Sequence, residues 1–72
     1  MAKCNHYTLE YTTRYVESLA QWDVHLLVDH APRAFVLRGT EHAAREAGAE
    51  MVRDAIRNVE AGRKPTDPIN VV

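Results

Sequence analysis

The sequence predicts a small α+β domain: a sheet of two to four strands with two helices packed on one of its faces, in the order strand, helix, strand, strand, helix. Three features carry this prediction. They are a period-two alternation near the N-terminus, two β-rich runs about a short proline-containing loop, and a long amphipathic segment from Thr40 to about Ala61.

Taken in order, Tyr7, Leu9 and Tyr11 alternate with Thr8, Glu10 and Thr12. Aromatic, aliphatic and β-branched residues at period two predict a half-buried strand. A longer helix over Thr8–Ala20 is the competing reading, with Tyr11, Tyr15, Val16 and Leu19 on one face. From Thr13 to Gln21 the three- and four-residue steps through Tyr15, Val16 and Leu19 predict a helix. Thr12 or Thr13 would cap it and Asp23 would mark its exit. Val24–Val28 and Ala34–Leu37 flank Asp29-His30-Ala31-Pro32-Arg33 and read as a hairpin.

Thr40 occupies a helix N-cap position and Glu41 suits the positive end of the helix dipole. Ala44, Gly48, Met51, Val52, Ala55, Ile56 and Val59 then share one arc, opposite Glu46, Glu50, Arg53, Asp54, Arg57 and Glu60. Gly62 is placed to terminate the helix, with Pro65 beyond it. Residues 1–5 and 63–68 are expected to be loop or poorly ordered. Pro65 and Pro68 rule out a helical tail, and Ile69–Val72 offers an optional closing edge strand.

At 72 residues the chain makes one domain, 1–72, with a marginal core that gains from a partner's surface. A homodimer is the simplest source of that area. The net charge of −1 lacks the basic surplus by which phosphate binders gain affinity, which disfavours nucleic acid. The single cysteine, Cys4, excludes an internal disulfide. Without a membrane-length apolar run or a signal-peptide core, the expectation is a cytoplasmic protein with no membrane partner.

The chemistry-bearing residues are sparse. Cys4 and His6 make a single pair and His25, His30 and His42 are scattered, short of the paired tetrahedral set that zinc requires, so no metal site is predicted. Cys4 and Ser18 are the only thiol and the only serine hydroxyl, and neither lies in a nucleophile motif. Gly39, Gly48 and Gly62 are too isolated for a phosphate loop. No catalytic residue and no cofactor are therefore assigned. Candidates for partner binding are the aromatics Tyr7, Tyr11, Tyr15 and Trp22, whose residue types favour interface hot spots as well as core packing. In the long helix, Ala43, Ala44, Ala47, Gly48 and Ala49 permit close backbone approach. Packing on the chain's own hairpin would use it, and so would self-association through Ala44 and Gly48. Glu46, Glu50 and Asp54 form a charged face that is either solvated or docked on a basic partner.

Tyr15-Val16-Glu17-Ser18-Leu19, Val24-His25-Leu26-Leu27-Val28, Ala34-Phe35-Val36-Leu37-Arg38-Gly39-Thr40 and the helix to Val59 together resemble the C-terminal half of a KH domain. The same order looks like a BON domain, with Ile69-Asn70-Val71-Val72 as its closing strand. The KH resemblance implies nucleic-acid binding, for which Lys3, Arg14, Arg33 and Arg38 are the available cations. The GXXG loop by which KH domains hold the backbone is absent between Tyr7 and Trp22.

The functional expectation is a non-enzymatic protein-interaction module: a small adaptor, an inhibitor such as a phage-encoded inhibitor of a host protein, or an accessory subunit. The alternatives are a KH-like nucleic-acid binder and a small subunit of a larger enzyme.

Overall fold

A computed structural model describes the backbone of residues 2–4 and 6–67 and the side chains of residues 6–67. The elements are β1 (Ala2–Cys4), β2 (Tyr7–Val16), a 3₁₀ turn (Glu17–Leu19), β3 (Gln21–Val28), β4 (Ala31–Arg38) and α1 (Glu41–Glu60). The strands form an antiparallel sheet in the order β1-β2-β3-β4, three long strands and one short one. The α+β class and the long helix are as the sequence predicts. Among the described residues there is no second helix, and the order strand, helix, strand, strand, helix gives way to a meander followed by one helix. The optional strand at Ile69–Val72 lies outside the described residues.

The predicted helix over Thr13–Gln21 is instead the second half of β2, the 3₁₀ turn and the start of β3. The physical reason is visible in the residues. Tyr11 to Tyr15 is a four-residue step, which keeps one face of a helix but also one face of a strand. The alternation begun at Tyr7 continues through Thr13 and Tyr15, and β-branched and aromatic residues favour a pleated strand. A helix here would also leave β3 without its partner, because Thr12, Thr13, Arg14, Tyr15 and Val16 pair with His25, Val24, Asp23, Trp22 and Gln21. Ala20, at φ 51°, closes the turn with its N–H donating to Glu17 O.

The β3–β4 hairpin is tighter than expected. Asp29 and His30 both have positive φ, 52° and 70°, as the two central residues of a type I′ turn require. Asp29 Oδ1 also accepts from Thr8 N at 2.9 Å, and Asp29 N donates to Thr8 O, so the turn is fastened to β2. Pro32 therefore falls inside β4, which is an edge strand and tolerates a missing N–H. A bulge opposite Leu26 and Leu27 absorbs the irregularity.

Thr40 caps α1 as predicted, its Oγ1 accepting from Ala43 N. At the other end Arg63 N donates to Asn58 O and Gly62 N to Val59 O, the Schellman pattern, with Gly62 at φ 80°. Asn58, buried, donates from Nδ2 to Pro65 O and Asp67 O and so ties residues 61–67 back onto the helix.

The helix covers one sheet face, chiefly over β2 and β3 and less over β4. Leu9, Leu26, Val28 and Ala55 form the core, with Tyr7, Ala34, Met51, Val52 and Ile56 packed against it. Toward the helix N-terminus, Val24, Ala44 and Ala47 are buried. There a Cβ on Gly48 would overlap the Tyr11 ring, 2.7 Å from Cε2 and nearer still to Cγ and Cδ2. The small residues of the first half of α1 thus admit the Tyr11 ring beneath the helix.

Candidate functional site

Period-two geometry sends alternate side chains of each strand to the uncovered face. The register places Glu10, Thr12 and Arg14 of β2 beside Leu27, His25 and Asp23 of β3, and Phe35 and Leu37 of β4 beside His25 and Asp23. No described element covers this face. Phe35 is 64% exposed and Leu37 37%, while Leu27 is half-buried between strands.

A charged network borders the apolar residues. Asp23 Oδ2 lies 3.1 Å from His25 Nε2 and 3.8 Å from Arg14 Nη2. The His25 ring meets Phe35 edge-on, with centroids 5.9 Å apart and planes at 83°. Near the turn, His30 Nδ1 lies 3.4 Å from Glu10 Oε2. Asp23 Oδ1 of this network is buried without a hydrogen-bond donor, and Glu10 Oε2, also buried, has only the 3.4 Å approach of His30 Nδ1. A buried acceptor without a donor is costly, of the order of 1–3 kcal/mol. The arrangement suits binding: apolar area and an aromatic ring bordered by charged groups. The hydrogen bonds of the described residues include none between Ser18 and a histidine, and no group of three His, Cys, Asp or Glu among them could hold a metal.

No family model matches the chain, and no curated protein or solved structure matches it either. The site is therefore read from its own geometry.

The predicted partner-binding aromatics divide into two groups, both on the helix-covered side. Tyr7 packs on the core and Tyr11 lies against Gly48. Tyr15 and Trp22 meet at a tilt of 60° at the open end of that side, centroids 5.5 Å apart, with Tyr15 49% exposed. Of the self-association pair, Ala44 and Gly48 are both buried within the chain. The nucleic-acid cations are dispersed. Arg14 is on the uncovered face, paired with Asp23; Arg38 ends β4 on the other face, its Nη1 donating to Leu37 O; Arg33 stands exposed at the hairpin end. Lys3 is in β1, where only the backbone is described.

Sequence reasoning does not single out Phe35, Leu37, Asp23 or Glu10. The pairing of Phe35 with His25 depends on register, which the bulge shifts, and the hydrophobic pattern alone does not fix it.

Two further clefts flank α1. One, of 250 Å³, is lined by Val36 and Arg38 of β4 and by Ala47, Glu50, Met51 and Asp54 of the helix. It adjoins a second, of 270 Å³, through Arg38, Ala47 and Glu50, which adds His42, Ala43 and Glu46.

Proposed function

We propose that this chain is a non-enzymatic protein-interaction module, acting as an adaptor, inhibitor or accessory subunit, that meets its partner with the uncovered face of its sheet. The observation that carries this reading is Phe35, a large apolar side chain 64% exposed on the edge strand of a face that no described element covers. Burying such a ring at an interface contributes about 1.5–3 kcal/mol, enough to anchor a contact. Leu27 and Leu37 extend the apolar area, and the charged groups Asp23, His25 and Arg14 border it.

A phosphate backbone would ask for a contiguous basic stripe. Arg14 instead stands beside the carboxylate of Asp23, and Arg38 stands on the opposite face. Protein is accordingly the favoured partner class, and a second copy of the chain belongs to it.

The test is affinity capture from host extract with wild-type protein and Phe35→Asp, read by quantitative mass spectrometry. A partner enriched about tenfold or more by wild type over the variant is expected. Light scattering on the same pair reads self-association. Equal capture by both proteins, with no change in mass between them, would remove the sheet face from consideration. A salt-sensitive mobility shift with RNA would move the reading to the KH-like alternative.

A further inference from the structure

We infer that the channel between β4 and α1 accepts an extended basic segment of a partner protein as an added strand on the β4 edge. This rests on the protein-interaction reading above and names a second surface for it, together with the chemistry of the occupant.

The backbone argument comes first. β4 is an edge strand, so half of its N–H and C=O groups face away from the sheet. Its first residues are guarded by Pro32, the bulge and Arg33, and Leu37 O already accepts from Arg38 Nη1, while Ala34–Val36 carry no such device. An extended chain can pair there by strand addition, provided there is room beside the helix.

The room exists because α1 sits chiefly over β2 and β3 and only partly over β4. The two adjoining clefts make one channel between strand and helix. Its apolar floor is Val36, Ala47 and Met51, and Glu46, Glu50 and Asp54 stand along its helical wall. As the strand is followed from Arg38 back to Val36, the lining helix residues run from His42 forward to Asp54, so helix and strand run antiparallel.

Charge selects the occupant. Three carboxylates face the channel against one arginine, Arg38, whose Nη1 is turned to Leu37 O. Glu46 is paired with His42 and Asp54 with Arg57, whereas Glu50 makes no ion pair among the described residues. A cationic segment is therefore complementary. A second copy pairing antiparallel edge to edge would bring its own Glu46, Glu50 and Asp54 to the same side, like charge facing like charge, so self-pairing at this edge is disfavoured.

Spacing selects the pattern. Residues four apart on a helix are separated by about 6 Å along its axis. Alternate residues of a strand lie about 6.8 Å apart. Side chains at every second position of an added strand thus keep step with Glu46, Glu50 and Asp54. Lysine or arginine at those positions would lay its methylene stem on Val36, Ala47 and Met51 and present its charge to the carboxylates. The intervening side chains would emerge beside Phe35 and Leu37 on the other face, where apolar residues fit. The occupant is a strand alternating basic and apolar residues.

The test uses a fluorescein-labelled octapeptide of alternating valine and lysine. Its controls are a peptide of the same composition in two blocks and one with glutamate for lysine. Anisotropy at low salt is expected to show the alternating basic peptide binding about tenfold tighter than either control, with amide shifts in Ala34–Arg38. Glu46→Lys/Glu50→Lys changes two exposed residues, so its circular dichroism should match wild type. It is expected to lose the basic peptide and bind the glutamate peptide instead. Equal binding of the block peptide, no loss in the double variant, or no binding at all would overturn the proposal. Amide shifts confined to Thr12, His25 and Phe35 would overturn it too, while leaving the uncovered sheet face standing as the binding surface.

Discussion

Replacing Gly48 by alanine sets two effects of known sign against each other. In an open helical position the change is favourable by about 1 kcal/mol, because glycine loses more backbone entropy in a helix. Here the new Cβ would meet Cγ, Cδ2 and Cε2 of Tyr11, the last at 2.7 Å. These atoms include the root of the ring, so the whole ring must move. Tyr11 belongs to the middle of β2, paired with Leu26, which limits its retreat. Overpacking of this kind costs about 1–3 kcal/mol, with the severe overlap favouring the upper part of that range. The net expectation for Gly48→Ala is a loss of about 1–2 kcal/mol. For a domain of this size that lowers Tm by roughly 4–16 °C.

The sign should reverse when the ring is removed. In a Tyr11→Ala background nothing opposes the propensity gain, so Gly48→Ala should stabilise by up to about 1 kcal/mol. Tyr11→Ala will itself be costly, but the ring is only half-buried, so the loss falls short of that for a fully buried aromatic. Urea denaturation of the four proteins, followed by far-UV circular dichroism, completes the cycle. If Gly48→Ala destabilises both backgrounds equally, Tyr11 is not what the glycine accommodates. If it stabilises the wild type, the helix stands further from β2 than described.

Two more changes probe the elements that hold the site in place. Asp29→Asn with His30→Gly installs the preferred type I′ pair. Relief of left-handed strain should raise stability by about 0.5–1 kcal/mol, a Tm rise of a few degrees in calorimetry, provided the introduced asparagine keeps the acceptor for Thr8 N–H. Asn58→Ala removes the donors to Pro65 O and Asp67 O and should cost about 1–3 kcal/mol, with faster hydrogen exchange over residues 63–67 than over β3.

How far the fold is legible in the sequence differs element by element. The long helix is readable from both ends because its signals are local: Thr40 caps through its own hydroxyl and Gly62 takes the one conformation that favours it. The second half of β2 reads as helix because Tyr11 and Tyr15, four apart, satisfy both periodicities. What decides between them is the partner strand, a non-local fact. Proline draws the expected turn too far along the chain, yet Asp29 and His30 are the residues able to adopt positive φ. The candidate site is less legible still. Its residues are an aromatic from β4, an acid and a histidine from β3 and an arginine from β2, brought together by register alone.

The two proposed surfaces share one cause, the offset of α1 from β4. A single helix cannot cover three long strands, since its diameter is about 10 Å and the strands lie about 4.8 Å apart. Seated chiefly over β2 and β3, it leaves β4 an edge strand among the described residues, with a channel beside it. Such an edge invites pairing with other chains, and proteins ordinarily blunt it. β4 is blunted at one end only, by Pro32 and the bulge. At its other end the deterrent is the carboxylate row Glu46, Glu50 and Asp54, which repels acidic strands and second copies while remaining open to a basic one. Proline and a bulge exclude every strand alike, whereas a charged wall excludes by sign. The use of the second device beside Ala34–Leu37 is the feature that favours a selective contact there over simple protection of the edge.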